Sequence, residues 1–144
     1  MKHTVKRFAA LGVGVAVAFG AAGFSQAQAQ PRAQGLDVWV NPGHSASGKS
    51  YLYAGRAAFR ADGDTFAVYD DAKDGYGVQL VVHATKKNGS GLDGAYFYGG
   101  GGKTHNGSFL KKDLQEGSKV KFRLCMSKNG SSAFACGKWR TTKA

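Results

Sequence analysis

Across 144 residues the chain has two cysteines, two prolines, two tryptophans and a single glutamate, Glu116. Each scarcity removes a class of chemistry. Two cysteines cannot make a thiolate metal centre without further ligands, and the histidines beyond the leader, His44, His83 and His105, stand at no ligand-like spacing. No metal and no cofactor are expected. With one glutamate, a carboxylate pair for sugar hydrolysis would have to come from aspartates in turns. No serine occupies a strained strand-to-helix elbow, so no activated nucleophile is in view, and the expectation is a chain that is not an enzyme. Large blocks of one charge are missing too: lysines are adjacent only at Lys86-Lys87 and Lys111-Lys112, and acidic residues are interspersed.

The first residues are those of an export leader. Lys2, Lys6 and Arg7 precede an uncharged run from Phe8 to Phe24, and Ala27-Gln28-Ala29 supplies the small residues that signal peptidase requires. Residues 1–29 are read as a signal peptide cleaved after Ala29. The run of 17 residues is rich in Gly and Ala and short for a bilayer span, which takes about 20. No membrane span is expected after cleavage, and the mature protein is expected to be secreted. The leader carries three positive charges, so its removal takes the net charge from +11 to +8. That balance suits a solvated face or an anionic surface such as a cell wall. Export argues against a nucleic-acid partner.

The mature chain is long enough for one domain. Residues 30–50 read as an extended N-terminal segment and linker, and 51–144 as the domain. Its strand candidates are Tyr51 to Arg60, Thr65 to Tyr69, Val78 to Thr85, Ala95 to Tyr98, Thr104 to Leu110, Lys119 to Met126 and Ala133 to Trp139. Asp62-Gly63 between the first two sets a turn that pairs Phe59 with Phe66. In the third, Val78, Leu80, Val82 and Ala84 alternate inward, with Gln79, Val81 and His83 outward. Lys86 to Gly94 reads as a loop. About seven strands with no helical period after the leader predict an all-β, small antiparallel sandwich.

The C-terminal part is a stapled hairpin. Val120, Phe122, Leu124 and Met126 share one face of a strand, and Lys119, Lys121, Arg123 and Cys125 the other. Asn129-Gly130 tolerates the positive φ of a tight turn. A loop from Asn129 to Ser132 sets Cys125 directly opposite Cys136, so a cross-strand disulfide is expected. Closing a loop of ten residues contributes about 2.8 kcal/mol on the chain-entropy account.

Two loops test as ligand sites and fail. Asp70-Asp71-Ala72-Lys73-Asp74-Gly75 resembles a calcium loop, but Ala72 holds a ligand position and Val81 stands where the bidentate acid belongs. A turn whose aspartates bond their own backbone explains it better. Gly99 to Gly102 with Lys103-Thr104 has the composition of a phosphate loop, yet the glycine spacing is wrong and no helix follows.

Two binding surfaces remain. Leu36-Asp37-Val38-Trp39-Val40 alternates, stops at Asn41-Pro42-Gly43 and is followed by His44 to Ser50, read as a flexible linker. It either pairs with an edge of its own domain or adds as a strand to a secreted protein partner, with Leu36, Val38 and Val40 on one side and Trp39 as the anchor on the other. A buried interface tryptophan is often worth about 2 kcal/mol or more. The alternative is a glycan or cell-wall contact at Tyr96, Phe97 and Tyr98, where alternation sends at least one ring toward solvent.

The segments FRADGDTFAVYDDAKDGYGV, DLQEGSKVKFRLC and CGKW, spanning Phe59 to Trp139, resemble small secreted proteins of actinobacteria whose function is uncharacterised. Such chains commonly pair a cysteine late in an EG-x-x-V-x-F-x-x-C strand with one in a C-G-x-W segment. Many carry a further cysteine where this chain has Tyr69, so any second disulfide of that group is absent here. The resemblance implies a β-sandwich and export, and no activity. The N-terminal strand on its linker also resembles the connecting subunit of secreted umbrella-shaped toxin particles. That likeness implies a component of an exported toxin complex, joined through an extended N-terminal strand.

Overall fold

The structure, a computed structural model, describes residues 38–102 and 106–144. Residues 1–37, among them the expected signal peptide and Leu36, and Lys103 to His105 lie outside the described residues. Among the described residues there are nine strands: β1 (Val38–Val40), β2 (Gly55–Arg60), β3 (Thr65–Asp70), β4 (Gly77–Thr85), β5 (Gly91–Tyr98), β6 (Gly107–Lys111), β7 (Lys119–Ser127), β8 (Ala133–Phe134) and β9 (Arg140–Lys143). Every pairing is antiparallel. One sheet runs β1-β2-β3-β6; the other runs β5-β4-β7-β8, with β9 also on β7.

The alternation read from the sequence puts the core between these sheets. Phe59 and Phe66 come from the first, and Val78, Leu80, Val82, Val120, Phe122, Leu124 and Met126 from the second, all essentially without solvent exposure. Phe59 faces Phe66 across the β2–β3 hairpin, as expected, with ring centroids 4.6 Å apart. Phe122 of the opposite sheet completes the cluster at 5.7 Å from Phe66 and 6.2 Å from Phe59. Three rings from two sheets at those distances make this a β-sandwich whose layers are locked face to face.

The stapled hairpin departs from its expected register. Cys125 and Cys136 are bonded, with Cα atoms 3.9 Å apart. The turn is wider than Asn129 to Ser132, however, because Ser127 pairs with Ala133 and Met126 with Phe134. In that frame Cys125 would face Ala135. Ala135 instead takes a left-handed φ of 47°, and the Gly137 N–H reaches the Leu124 carbonyl at 2.8 Å. Ala135 and Cys136 together therefore oppose Cys125, a β-bulge that moves the sulfur into bonding position. A second slip follows: Phe122 pairs with Arg140, so Lys138 and Trp139 share the place opposite Arg123. The single return strand expected from Ala133 to Trp139 is thus broken by two bulges, and β9 follows them.

Three other expectations need correction. β5 starts at Gly91, within the stretch read as a loop, because Lys86 to Ser90 already close the turn with Lys86 N–H to Ser90 O at 2.8 Å. Residues 51–54 form a turn, not the start of a strand, with Ala54 N–H on the Tyr51 carbonyl at 2.9 Å. His44 to Ser50, expected as a flexible linker, is closed by the His44–Ser50 bridge and by Ser45 N–H to Lys49 O at 2.9 Å.

Since Phe122 joins both layers, Phe122→Ala should lower the unfolding free energy by about 3–5 kcal/mol. Ala95→Ser, on the exposed face of β5, should change it by less than about 0.5 kcal/mol. Urea denaturation of both variants checks this, and comparable losses would contradict it.

Candidate functional site

The residues expected to carry binding fall into separate places. Val38, Trp39 and Val40 form β1, opposite Phe59, Ala58 and Ala57. Val40 is buried and Val38 packs against the core. The strand therefore pairs in cis with its own domain, at the end of the sheet.

Tyr96, Phe97 and Tyr98 do not form one surface. Alternation along β5 turns Tyr96 and Tyr98 toward the core, where both pack as half-buried rings. The Tyr98 hydroxyl donates to the Asn106 carbonyl at 2.9 Å, and Lys112 Nζ lies 4.4 Å from the Tyr96 ring centre. Phe97 alone faces outward, and its ring lies over Gly77, where a Cβ would come within 2.6 Å of it. A stack of three rings for a sugar is not assembled.

The two loops tested as ligand sites are occupied by the chain itself. Asp70 is fully buried, and its Oδ2 accepts the Gly101 N–H at 2.8 Å. The carboxylate stands where an anion would have to bind the glycine loop. Asp74 accepts the Tyr76 N–H at 3.0 Å, the local Asx turn anticipated for this segment. Asp64 clamps a third loop by accepting the Leu114 N–H at 2.9 Å. Among the described residues no three His, Cys, Asp or Glu side chains gather as a metal site.

Burial pushes the Asp70 carboxyl above its ordinary value of 3.8, partly offset by the N–H groups of Gly101, Gly100 and Ala72. Burial likewise raises Asp64, against the opposing Leu114 N–H. An acid whose folded pKa is raised binds its proton more readily folded than unfolded. Its contribution to stability therefore grows as pH falls through the raised value toward 3.8 and is unfavourable above it.

The assembly that sequence reasoning missed lies on the outer face of the second sheet. The bulge opposite Arg123 carries Trp139 over β7. Arg123 Cζ lies 4.4 Å and Lys121 Nζ 4.7 Å from its ring centre, and the His83 ring lies at 4.9 Å. His83, opposite Lys121, bonds through Nδ1 to Asp93 Oδ1 on β5. Lys119 continues the row and faces Lys143. The outward Lys119, Lys121 and Arg123 were visible in the sequence. The position of Trp139 was not, because it depends on two successive register slips.

Comparison with protein-family models, curated proteins and solved structures finds no match to this chain. No helix among the described residues is long and apolar enough to cross a membrane.

Removing the ionisable group at Asp70 isolates its contribution. Asp70→Asn should lack the stability that the wild type gains as pH falls from neutrality toward 3.8. Unfolding free energies measured across that range check it; parallel curves for the two proteins contradict it.

Proposed function

We propose that the mature chain is an exported, non-enzymatic binding module that joins a secreted protein partner by strand addition at β1. In that role it is a connecting piece of a larger exported assembly. The observation that carries this reading is the position of β1. It ends the order β1-β2-β3-β6 and pairs only with β2 among the described residues. Pairing in cis uses one side of the strand. The other side is a row of main-chain donors and acceptors of the kind that accepts an added strand. In the sequence, the alternation of Leu36, Val38 and Val40 begins upstream of β1.

Three further features support the reading. The leader of residues 1–29 is that of an exported protein, and the Cys125–Cys136 disulfide suits an oxidising compartment. Asp64 and Asp70, the carboxyls with raised pKa, hold backbone amides and serve the fold. The resemblance to the connecting subunit of umbrella-shaped toxin particles fits a module with its contact at the N-terminal end.

Tagged mature protein and a Leu36→Asp/Trp39→Asp variant, which spares the core residues Val38 and Val40, should be compared by affinity purification from the native culture supernatant. The wild type is expected to recover a discrete secreted protein that the variant loses. Identical partners for both proteins, or none for either, would overturn the proposal.

A further inference from the structure

The outer face of the second sheet is more basic than a solvated surface requires. Lys119, Lys121 and Arg123 project from β7, and Lys143 faces Lys119 from β9. None of the four forms an ion pair among the described residues. The nearest carboxylate in the row, Asp93, is bonded to His83. Like charges directly opposite on neighbouring strands are destabilising. Lysines on an edge strand often guard against aggregation. That explanation covers Lys143 on β9 but not Lys119, Lys121 or Arg123, because β7 is an interior strand.

Trp139 organises this face. Its ring is in contact with Lys121, Arg123 and His83 together, so two flexible cations are held against a rigid surface. Arg123 Nε is buried and has no hydrogen-bond partner among the described residues. The guanidinium is a planar fork that matches a carboxylate or sulfate, and a ligand would meet its terminal nitrogens because Nε is covered. Successive outward residues on a strand stand about 7 Å apart, so Lys119, Lys121 and Arg123 leave β7 at even intervals, and the heads of Lys121 and Arg123 converge on the Trp139 ring.

We propose that this face binds an acidic polysaccharide, a glycan chain carrying carboxylate or sulfate groups at regular intervals, and that Trp139 acts as a positioning residue for Lys121 and Arg123. A single-stranded nucleic acid fits less well. Proteins that hold it without sequence preference offer open aromatic faces for the bases, whereas the Trp139 ring is already engaged by cations. This surface lies on the sheet that does not contain β1.

Isothermal titration of the mature protein at about 0.15 M ionic strength tests the proposal with heparin and polygalacturonate as probes, dextran as the uncharged control and oligothymidylate as the nucleic-acid control. Both acidic polysaccharides should bind and dextran should not. Lys119→Ser/Lys121→Ser should weaken binding about tenfold or more. Lys121→Arg should retain it, and Lys73→Ser/Lys111→Ser, which removes the same charge elsewhere, should leave it unchanged. In a Trp39→Phe background, emission from Trp139 should respond to the polysaccharide. The proposal is overturned if neither polysaccharide binds, if oligothymidylate binds as tightly, or if the two double variants lose affinity equally.

Discussion

The bond between Cys125 and Cys136 governs more of this molecule than its own hairpin. It spans two strands whose register differs by one residue on its two sides, and the left-handed Ala135 absorbs that difference. The bulge feeds directly into the packing of the N-terminal segment. Gly43 donates its N–H to the Ala135 carbonyl at 2.7 Å, and a Cβ at Gly43 or Gly137 would collide with Cys136 or Asn41 backbone. The disulfide thus holds the place where the chain leaves β1 and turns toward β2. Chain-entropy reasoning treats such a link as a constraint on the unfolded state; here it also selects one of two available registers.

The two surfaces inferred for binding are consequences of that arrangement. On one sheet the segment seated against the hairpin follows β1, a short edge strand that pairs only with β2 among the described residues. On the other, the slip after Gly137 swings Trp139 over β7, where it meets Arg123 and Lys121. Charge and strand edge therefore sit on different layers. Two carboxylates serve the scaffold: the buried Asp70 holds the glycine loop and the half-buried Asp64 holds the turn before β7.

Legibility in the sequence followed the range of the interactions involved. Period-two alternation located β3, β4 and β7 and their core residues, since one face of each strand is sealed by the other sheet. The Phe59–Phe66 register was readable because the turn between them is short. The disulfide was readable from two cysteines in a hairpin. The bulge between them was not, because Ala135 has no side-chain preference for a positive φ. The inward turn of Tyr96 and Tyr98 depends on where β5 begins, which Gly91 and Gly94 obscured. The Asp70 clamp joins residues 31 apart in sequence, beyond any local pattern.

If the stapled register places Trp139, opening the disulfide must release it. The most direct measurement is the emission spectrum of Trp139 in a Trp39→Phe protein, recorded with and without reductant in native buffer alongside far-ultraviolet circular dichroism. The account predicts that reduction shifts Trp139 emission to longer wavelength and brings its quenching by iodide toward that of the unfolded chain, while the β signal persists. An unchanged emission spectrum in a protein whose cysteines are demonstrably reduced would contradict it.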